Sequence, residues 1–469
     1  MTTKKTSIII LTLFLILTIS ITKEFKRTLS TKSTETLTTK TTTVNANNEN
    51  YKDFDVKNFF LVPISVGNPP QTIEVSLDTA SDYSWVAGSN CSSCTDSEQK
   101  FNSKSSTTYK SNNNIVEIKN RDGVANGKSV SDNLNLSNYK TKNFNFIVVD
   151  SLDNEYSDYK NGILSFSYKT SNGVGFLDAL KENNQIGKKI LTLRFSQEDF
   201  GSFFIGEYPN DMDRKKVKEV KTCNISDKSD FLTEDFKNKW VCDLTHGIVG
   251  KDIKNSFEIN GFAYFDSGST VILAPNKYID LFKAEYLNTC EEKTENSDKY
   301  FTCEKSSIDL DNVKPLYFVL GGWAFEIPAS SLFKLNYDSS KYYFTVRFTN
   351  TTEVWGFGKN FMRQFTTIFN KDEANVGFYG GNYFNFKDEK AKLDGTYVEK
   401  IMKKNILGDI EEDVDATNEK ALKTEKEKKM KLLWNVGGVV LIVVFLVLII
   451  LCIYRSVRKP KDDDLKPLI

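Results

Sequence analysis

Ile73-Glu74-Val75-Ser76-Leu77-Asp78-Thr79-Ala80-Ser81 and Phe262-Ala263-Tyr264-Phe265-Asp266-Ser267-Gly268-Ser269 read almost as copies of one another. In each, an alternating or continuous apolar run delivers one carboxylate and then breaks at once into small, hydroxyl-bearing residues. Apolar runs of this length are buried strands, and small residues directly after them mark tight loops. Each copy therefore pushes one Asp out of the end of a buried strand into a turn. One D-T/S-x-S tetrapeptide in an Asp- and Ser-rich chain reads as an exposed turn. Two of them, each behind an apolar strand, read as a matched pair.

A buried carboxylate is costly without a partner. Two that face each other meet that cost by sharing a proton, because like charges at contact distance do not both ionise. Hydroxyls and amides of the flanking loops supply the hydrogen bonds that hold such a pair coplanar. One carboxylate then acts as base toward a water while its neighbour acts as acid toward a carbonyl oxygen. The rest of the composition removes the competing chemistries. The chain has a single His, His246, whereas Ser-His-Asp and Cys-His catalysis need a His base and zinc hydrolases need two or three. His246, followed by Gly247, reads as a turn residue. No metal or other cofactor is called for. With 62 basic and 62 acidic residues in 469, the chain has no basic face and no argument for a nucleic-acid partner.

Between about residues 51 and 388 the sequence is a series of short β-like runs broken by Gly, Asn and Asp. Phe144 to Val149 and Lys341 to Thr349 have strand patterns, while Val174 to Glu182 and Lys277 to Tyr286 read as short helices. The fold class is all-β with minor helix. Two motif copies imply an internal duplication, one lobe each, over residues 51–215 and 216–388. The cleft between such lobes takes an extended polypeptide as an added strand.

These residues resemble the pepsin-like (A1) aspartic peptidases, from about Asn58 to about Phe386. Phe60 to Gln71 (FLVPISVGNPPQ) is similar to the strand and turn that open the family's first lobe. Asp78 to Val86 (DTASDYSWV) matches the first active-site motif with its following Trp, here Trp85. Asn161 to Tyr168 (NGILSFSY) is similar to the segment that completes the first lobe's ψ-shaped loop. Phe265 to Thr270 (FDSGST) matches the second motif, and Trp355 to Asn370 (WGFGKNFMRQFTTIFN) its apolar partner. The resemblance implies a bilobal fold and a monomeric aspartic endopeptidase with Asp78 and Asp266 catalytic. In it Thr79 and Ser267 brace the two loops, and Ser81 and Ser269 hydrogen-bond the outer carboxylate oxygens. Trp85 supports the flap and the apolar subsites. Four positions depart from the family. Ala80 and Ser165 stand where it has Gly. In the flap hairpin, expected over Val116 to Leu136 and aligned on Gly123 and Gly127, Asn120 occupies the place of a Tyr and Arg121 that of a Gly. Ala80 and Asn120 also motivate the alternative of a catalytically silent peptide-binding or adhesion protein on the same fold.

Of seven cysteines, six can pair in a secreted protein. The family often has a small disulfide loop where Cys91 and Cys94 stand, and another where Cys290 and Cys303 stand; Cys223 and Cys242 are left as a third pair, with Cys452 free. Asn90, Asn135, Asn224 and Asn350 begin N-x-S/T sequons, glycosylation acceptors in a lumenal protein. Residues 1–22 read as a signal peptide, and 23–50 as a low-complexity linker or short prosegment. Residues 389–431 form a charged stalk. Residues 432–454 are long and apolar enough to cross a bilayer, followed by Arg455, Arg458 and Lys459 on the cytoplasmic side. The tail, 455–469, ends with Asp464, Leu468 and Ile469, spaced like an acidic dileucine sorting signal for adaptor proteins. The expectation is a type I membrane protein of the secretory pathway, at the cell surface or in endosome, lysosome or vacuole.

Overall fold

The computed structural model describes residues 38–39 and 60–393, apart from 95–98, 121–122, 154–160, 197–200, 210, 229–231, 296, 337–339 and 351–352. The described residues up to Lys387 form one compact unit. A second unit begins at Asp388 and is described only to Leu393, the end of the short helix Phe386–Leu393. The expected signal peptide, membrane span and sorting signal lie outside the described residues, as do the linker apart from Thr38–Thr39 and the stalk beyond Leu393. Among the described residues no helix is long and apolar enough to cross a membrane.

Three sheets build the first unit. Leu61–Val66 opens a seven-stranded sheet. Its Val62, Ile64 and Val66 point inward while Pro63 is exposed, the alternation of a strand with one covered face. It turns back antiparallel into Gln71–Asp78, with Leu61 opposite Ser76. Gly67 makes that turn possible: its φ is +87°, and a side chain there would meet Ser106 at 2.8 Å. Gln71–Asp78 begins in alternation but is buried continuously from Val75, because its end is covered on both faces. There it runs parallel to Gly162–Ser165, with Asp78 level with Ser165. Gly162–Ser165 in turn runs antiparallel to Trp85–Ala87. The flap hairpin follows, Lys110–Asn120 against Gly123–Leu136.

The second half repeats this device in a twelve-stranded sheet. Ser256–Phe265 runs parallel to Val354–Phe357, Phe265 level with Phe357. Val354–Phe357 then lies antiparallel to Ile272–Pro275. Between the halves a six-stranded sheet joins a hairpin from each: Ile190–Phe195 pairs with Gly201–Ile205 and, across the duplication, with Thr366–Asn370. Asn375–Tyr379 then pairs with Lys221–Asn224. The expected mostly-β, bilobal architecture is therefore present.

Aromatic packing fills the second half. The buried ring of Phe265, one residue before the second carboxylate, contacts Phe357, Phe361, Phe369 and Phe378. Rings of that size contribute about 1.5–3 kcal/mol each when fully buried.

Several local expectations change. His246 is not in a turn: it sits within the strand Val241–Val249, at a bulge, with its ring 4.7 Å from that of Phe386. Gly247 belongs there because the Phe257 ring lies over it across the ladder, 2.1 Å from where a Cβ would stand. Lys341 to Thr349 is two strands, Lys341–Phe344 and Val346–Thr349. The break is at Thr345, whose amide and hydroxyl bond the Leu332 and Ser331 carbonyls at 2.8 Å each. The helices are shorter than read, Phe176–Glu182 and Ile279–Tyr286, the latter entered through a 3-10 turn at Asn276–Tyr278.

Candidate active site

Asp78 and Asp266 emerge from matching strand ends and meet over Gly268. A Cβ on that glycine would stand 2.7 Å from Asp78 Oδ2 and 3.2 Å from Asp266 Oδ1, so both carboxylates border one point. Asp78 is 4% exposed and Asp266 half-buried, which leaves the pair open on one side.

Reciprocal hydrogen bonds lock the two loops together. The Thr79 amide donates to Ser267 Oγ at 3.1 Å, and the Ser267 amide donates to Thr79 Oγ1 at 3.0 Å. Each hydroxyl then donates to a main-chain carbonyl of the opposite strand: Thr79 Oγ1 to Phe265 at 2.8 Å and Ser267 Oγ to Leu77 at 2.9 Å. Both side chains are fully buried. A β-branched or small hydroxyl residue is what this contact requires, since it must accept and donate at once without added bulk.

Beside this brace the carboxylates are held by amides. Asp78 Oδ1 accepts from the Ala80 and Ser81 amides at 2.7 and 2.9 Å. Asp266 Oδ1 accepts from the Gly268 amide at 2.8 Å. The expected role of the Ser81 hydroxyl changes accordingly. Ser81 serves Asp78 through its main-chain N–H, while its hydroxyl donates to the Tyr83 carbonyl at 3.0 Å. Ser269 accepts from the Val271 amide at 3.3 Å, and its own amide donates to the Asp266 carbonyl at 3.3 Å. A hydroxyl two residues from a tight turn finds nearby backbone first, which is why proximity in sequence misled.

The loop carbonyls are held differently in the two halves. In the second, Ser269 and Val271 carbonyls accept from the Lys359 and Gly358 amides at 2.8 and 3.0 Å. In the first, the Ser81 carbonyl accepts from Ser165 Oγ at 2.5 Å, the Ala80 carbonyl from Lys239 Nζ. The Ser165 amide also donates to Ser84 Oγ at 3.0 Å. Gly358 shows why a glycine is the alternative: a Cβ there would lie 2.6 Å from the Ser269 carbonyl.

Lys239, Asn238 and Trp240 are the residues that the sequence did not announce. They precede the strand Val241–Val249 of the second half, yet reach into the first. Trp240 Nε1 donates to the Phe166 carbonyl at 2.7 Å, and the ring packs on Tyr168 and Phe369. Asn238 Nδ2 donates to Asp82 Oδ2 at 3.3 Å and to Ser171 Oγ at 3.0 Å. Burial raises the Asp82 carboxyl above the usual carboxylate range; Lys239 and Asn238 oppose this, and the charges of Asp78 and Asp235 add to it. The one local signal was a Trp ending the polar run Glu234 to Trp240.

Trp85 is fully buried with Ile118, Ala125, Ile147 and Val149. It thus stands beneath the flap hairpin and not as an open wall of the cleft. Asn120 pairs with Gly123 at the hairpin's end; Arg121 lies outside the described residues. Gly123 has φ +142°, and a side chain there would strike the Asp153 carboxylate, which accepts the Val124 amide at 2.6 Å.

The cystines are Cys91–Cys94, Cys223–Cys242 and Cys290–Cys303. Asn90, Asn224 and Asn350 are exposed, whereas Asn135 is half-buried in the flap strand Gly123–Leu136.

A family model described as eukaryotic aspartyl protease matches residues 59–379 of the chain. Rhizopuspepsin-1 of Rhizopus niveus is 25% identical over 279 residues, which cover 57% of this chain and 66% of that protein. Syncephapepsin of Syncephalastrum racemosum is 26% identical over 291 residues, covering 60% and 67%. Pregnancy-associated glycoprotein 1 of Sus scrofa is 24% identical over 341 residues, covering 67% and 78%.

Proposed function

Because the chain belongs to the eukaryotic aspartyl protease family, we propose that it is an aspartic endopeptidase in which a water between Asp78 and Asp266 attacks a peptide carbonyl. The observation that carries this reading is the convergence of both carboxylates on one point above Gly268, fixed by the Thr79–Ser267 exchange. The ionised carboxylate takes a proton from the water, whose oxygen bonds the carbonyl carbon. The protonated carboxyl gives its proton to the carbonyl oxygen, forming a tetrahedral diol. On collapse the nitrogen receives a proton, the C–N bond breaks, and the dyad regains its single proton. No covalent intermediate is involved. The substrate is an extended polypeptide lying between the flap and the dyad.

Acidic conditions suit a pair that must hold one proton. The three cystines support folding in an oxidising compartment. With the apolar N-terminus and the apolar segment 432–454, this supports a type I membrane protein with a lumenal catalytic body. It would be glycosylated at exposed sequons and sorted through Asp464, Leu468 and Ile469. The test of activity is cleavage of an acid-denatured globin by the full chain and by Asp78→Asn. Acid-dependent cleavage lost in the variant supports the reading; equal cleavage by both ends it.

A further inference from the structure

We propose that Lys239 is a positioning residue that holds the dyad's negative charge on Asp78. This rests on the peptidase reading of the same site. The Ala80 carbonyl and the Ser81 N–H belong to one peptide group. Lys239 Nζ donates to that carbonyl, and the N–H at the other side of the same group donates to Asp78 Oδ1 at 2.9 Å. A cation on the oxygen polarises the peptide and strengthens the hydrogen bond that its N–H makes to a carboxylate. The ionised form of Asp78 gains most from this, and the shared proton moves toward Asp266.

The surroundings of Lys239 make the effect specific to the first carboxylate. It is partly buried, where charge is screened less than in open water. From the loop after Asp78 it faces Asp82; from its own turn Asp235 lies close enough to act on Asp82. From the strand that leads to Asp266 it meets the ring of Tyr264 at 5.9 Å. In the second half the Ser269, Thr270 and Val271 carbonyls, which follow the Gly268 that matches Ala80, take main-chain amides. There the buried Lys359 bonds the Ser269 carbonyl through its main-chain amide. Acid–base catalysis with two like groups needs them to differ in proton affinity, and Lys239 supplies a difference.

The experiment is the pH profile of kcat/KM for the full chain on an acid-denatured globin, with Lys239→Met, Lys239→Gln and Lys239→Arg beside wild type. Loss of the charge is expected to move the acid limb upward by about one pH unit, so that kcat/KM on that limb falls about tenfold. Lys239→Arg keeps the wild-type limb. Lys239→Gln keeps an N–H donor without the charge and is expected to follow Lys239→Met; it also carries the test if Lys239→Met does not fold. An active wild type whose acid limb is unmoved in a folded Lys239→Met or Lys239→Gln overturns this inference alone. A wild type that cleaves no better than Asp78→Asn overturns the peptidase reading beneath it.

Discussion

Asp78 leaves a strand that runs parallel to Gly162–Ser165; Asp266 leaves one that runs parallel to Val354–Phe357. At each end a hydroxyl residue follows the carboxylate, and the two hydroxyls exchange equivalent bonds. Behind that shared front the halves diverge. Ala80 occupies the place of Gly268 and Ser165 that of Gly358; the Ser165 side chain holds the Ser81 carbonyl where an amide holds that of Ser269, and Lys239 adds a bond to the Ala80 carbonyl. The parts that both carboxylates need in common are duplicated. The parts that make one carboxylate unlike the other are carried by side chains, which change by substitution without rebuilding the backbone.

The strongest attack on this picture removes a carboxylate from either side. Asp78→Asn and Asp266→Asn are each expected to lower kcat by about 10³-fold or more, and the double variant by little further, because the pair acts as one unit. Single-turnover cleavage assays read this; additive losses would mean two independent groups.

Making the halves more alike is the next test. Gly268→Ala copies the first loop onto the second and drives a methyl against Asp78 Oδ2. A displacement of that size is expected to cost about 10²-fold in kcat/KM. Ala80→Gly, which copies the second loop onto the first, is expected to stay within about threefold of wild type in the same assay. Equal losses in both would show that the first loop depends on its methyl as strongly as the second excludes one.

The shared brace should be felt as stability. Thr79→Val and Ser267→Ala each leave a buried amide without its acceptor and are expected to cost about 1–3 kcal/mol in denaturant unfolding. Their double variant should lose less than the sum, since they break one exchange. Ser165→Ala, on the unshared side, is expected to cost about 1 kcal/mol.

The smallest effect concerns Asp82. Burial raises its carboxyl, so the fold favours the protonated form. That contribution is full below the unfolded-state value and is lost as pH rises through the folded-state value. Asp82→Asn does not titrate there. Its thermal midpoint relative to wild type should therefore rise from acid toward neutral pH; a flat difference would show that Asp82 titrates as an exposed group.

Much of the fold was legible because it is written in local pattern. The two Asp motifs, the apolar runs before them and the alternation of Leu61–Val66 give strands and their ends without reference to anything distant. His246-Gly247 failed for the opposite reason: a glycine that serves the Phe257 ring across a ladder looks the same in sequence as one that serves a turn. Ser81 failed because a hydroxyl has several acceptors within reach, and which it takes depends on angles the chain order does not specify. Lys239 gave no signal at all, since a lysine in a polar run is ordinarily a solvated one.

Sequence alone determined that two carboxylates stand at the ends of two buried strands in a duplicated, His-poor chain, because burial periodicity and turn chemistry are properties of neighbours. Only the tertiary structure decided that they share one point, that the Ser81 amide rather than its hydroxyl serves Asp78, and that a lysine from the other half backs one of them. Those facts depend on distances between residues far apart in the chain, which are set by how the sheets pack.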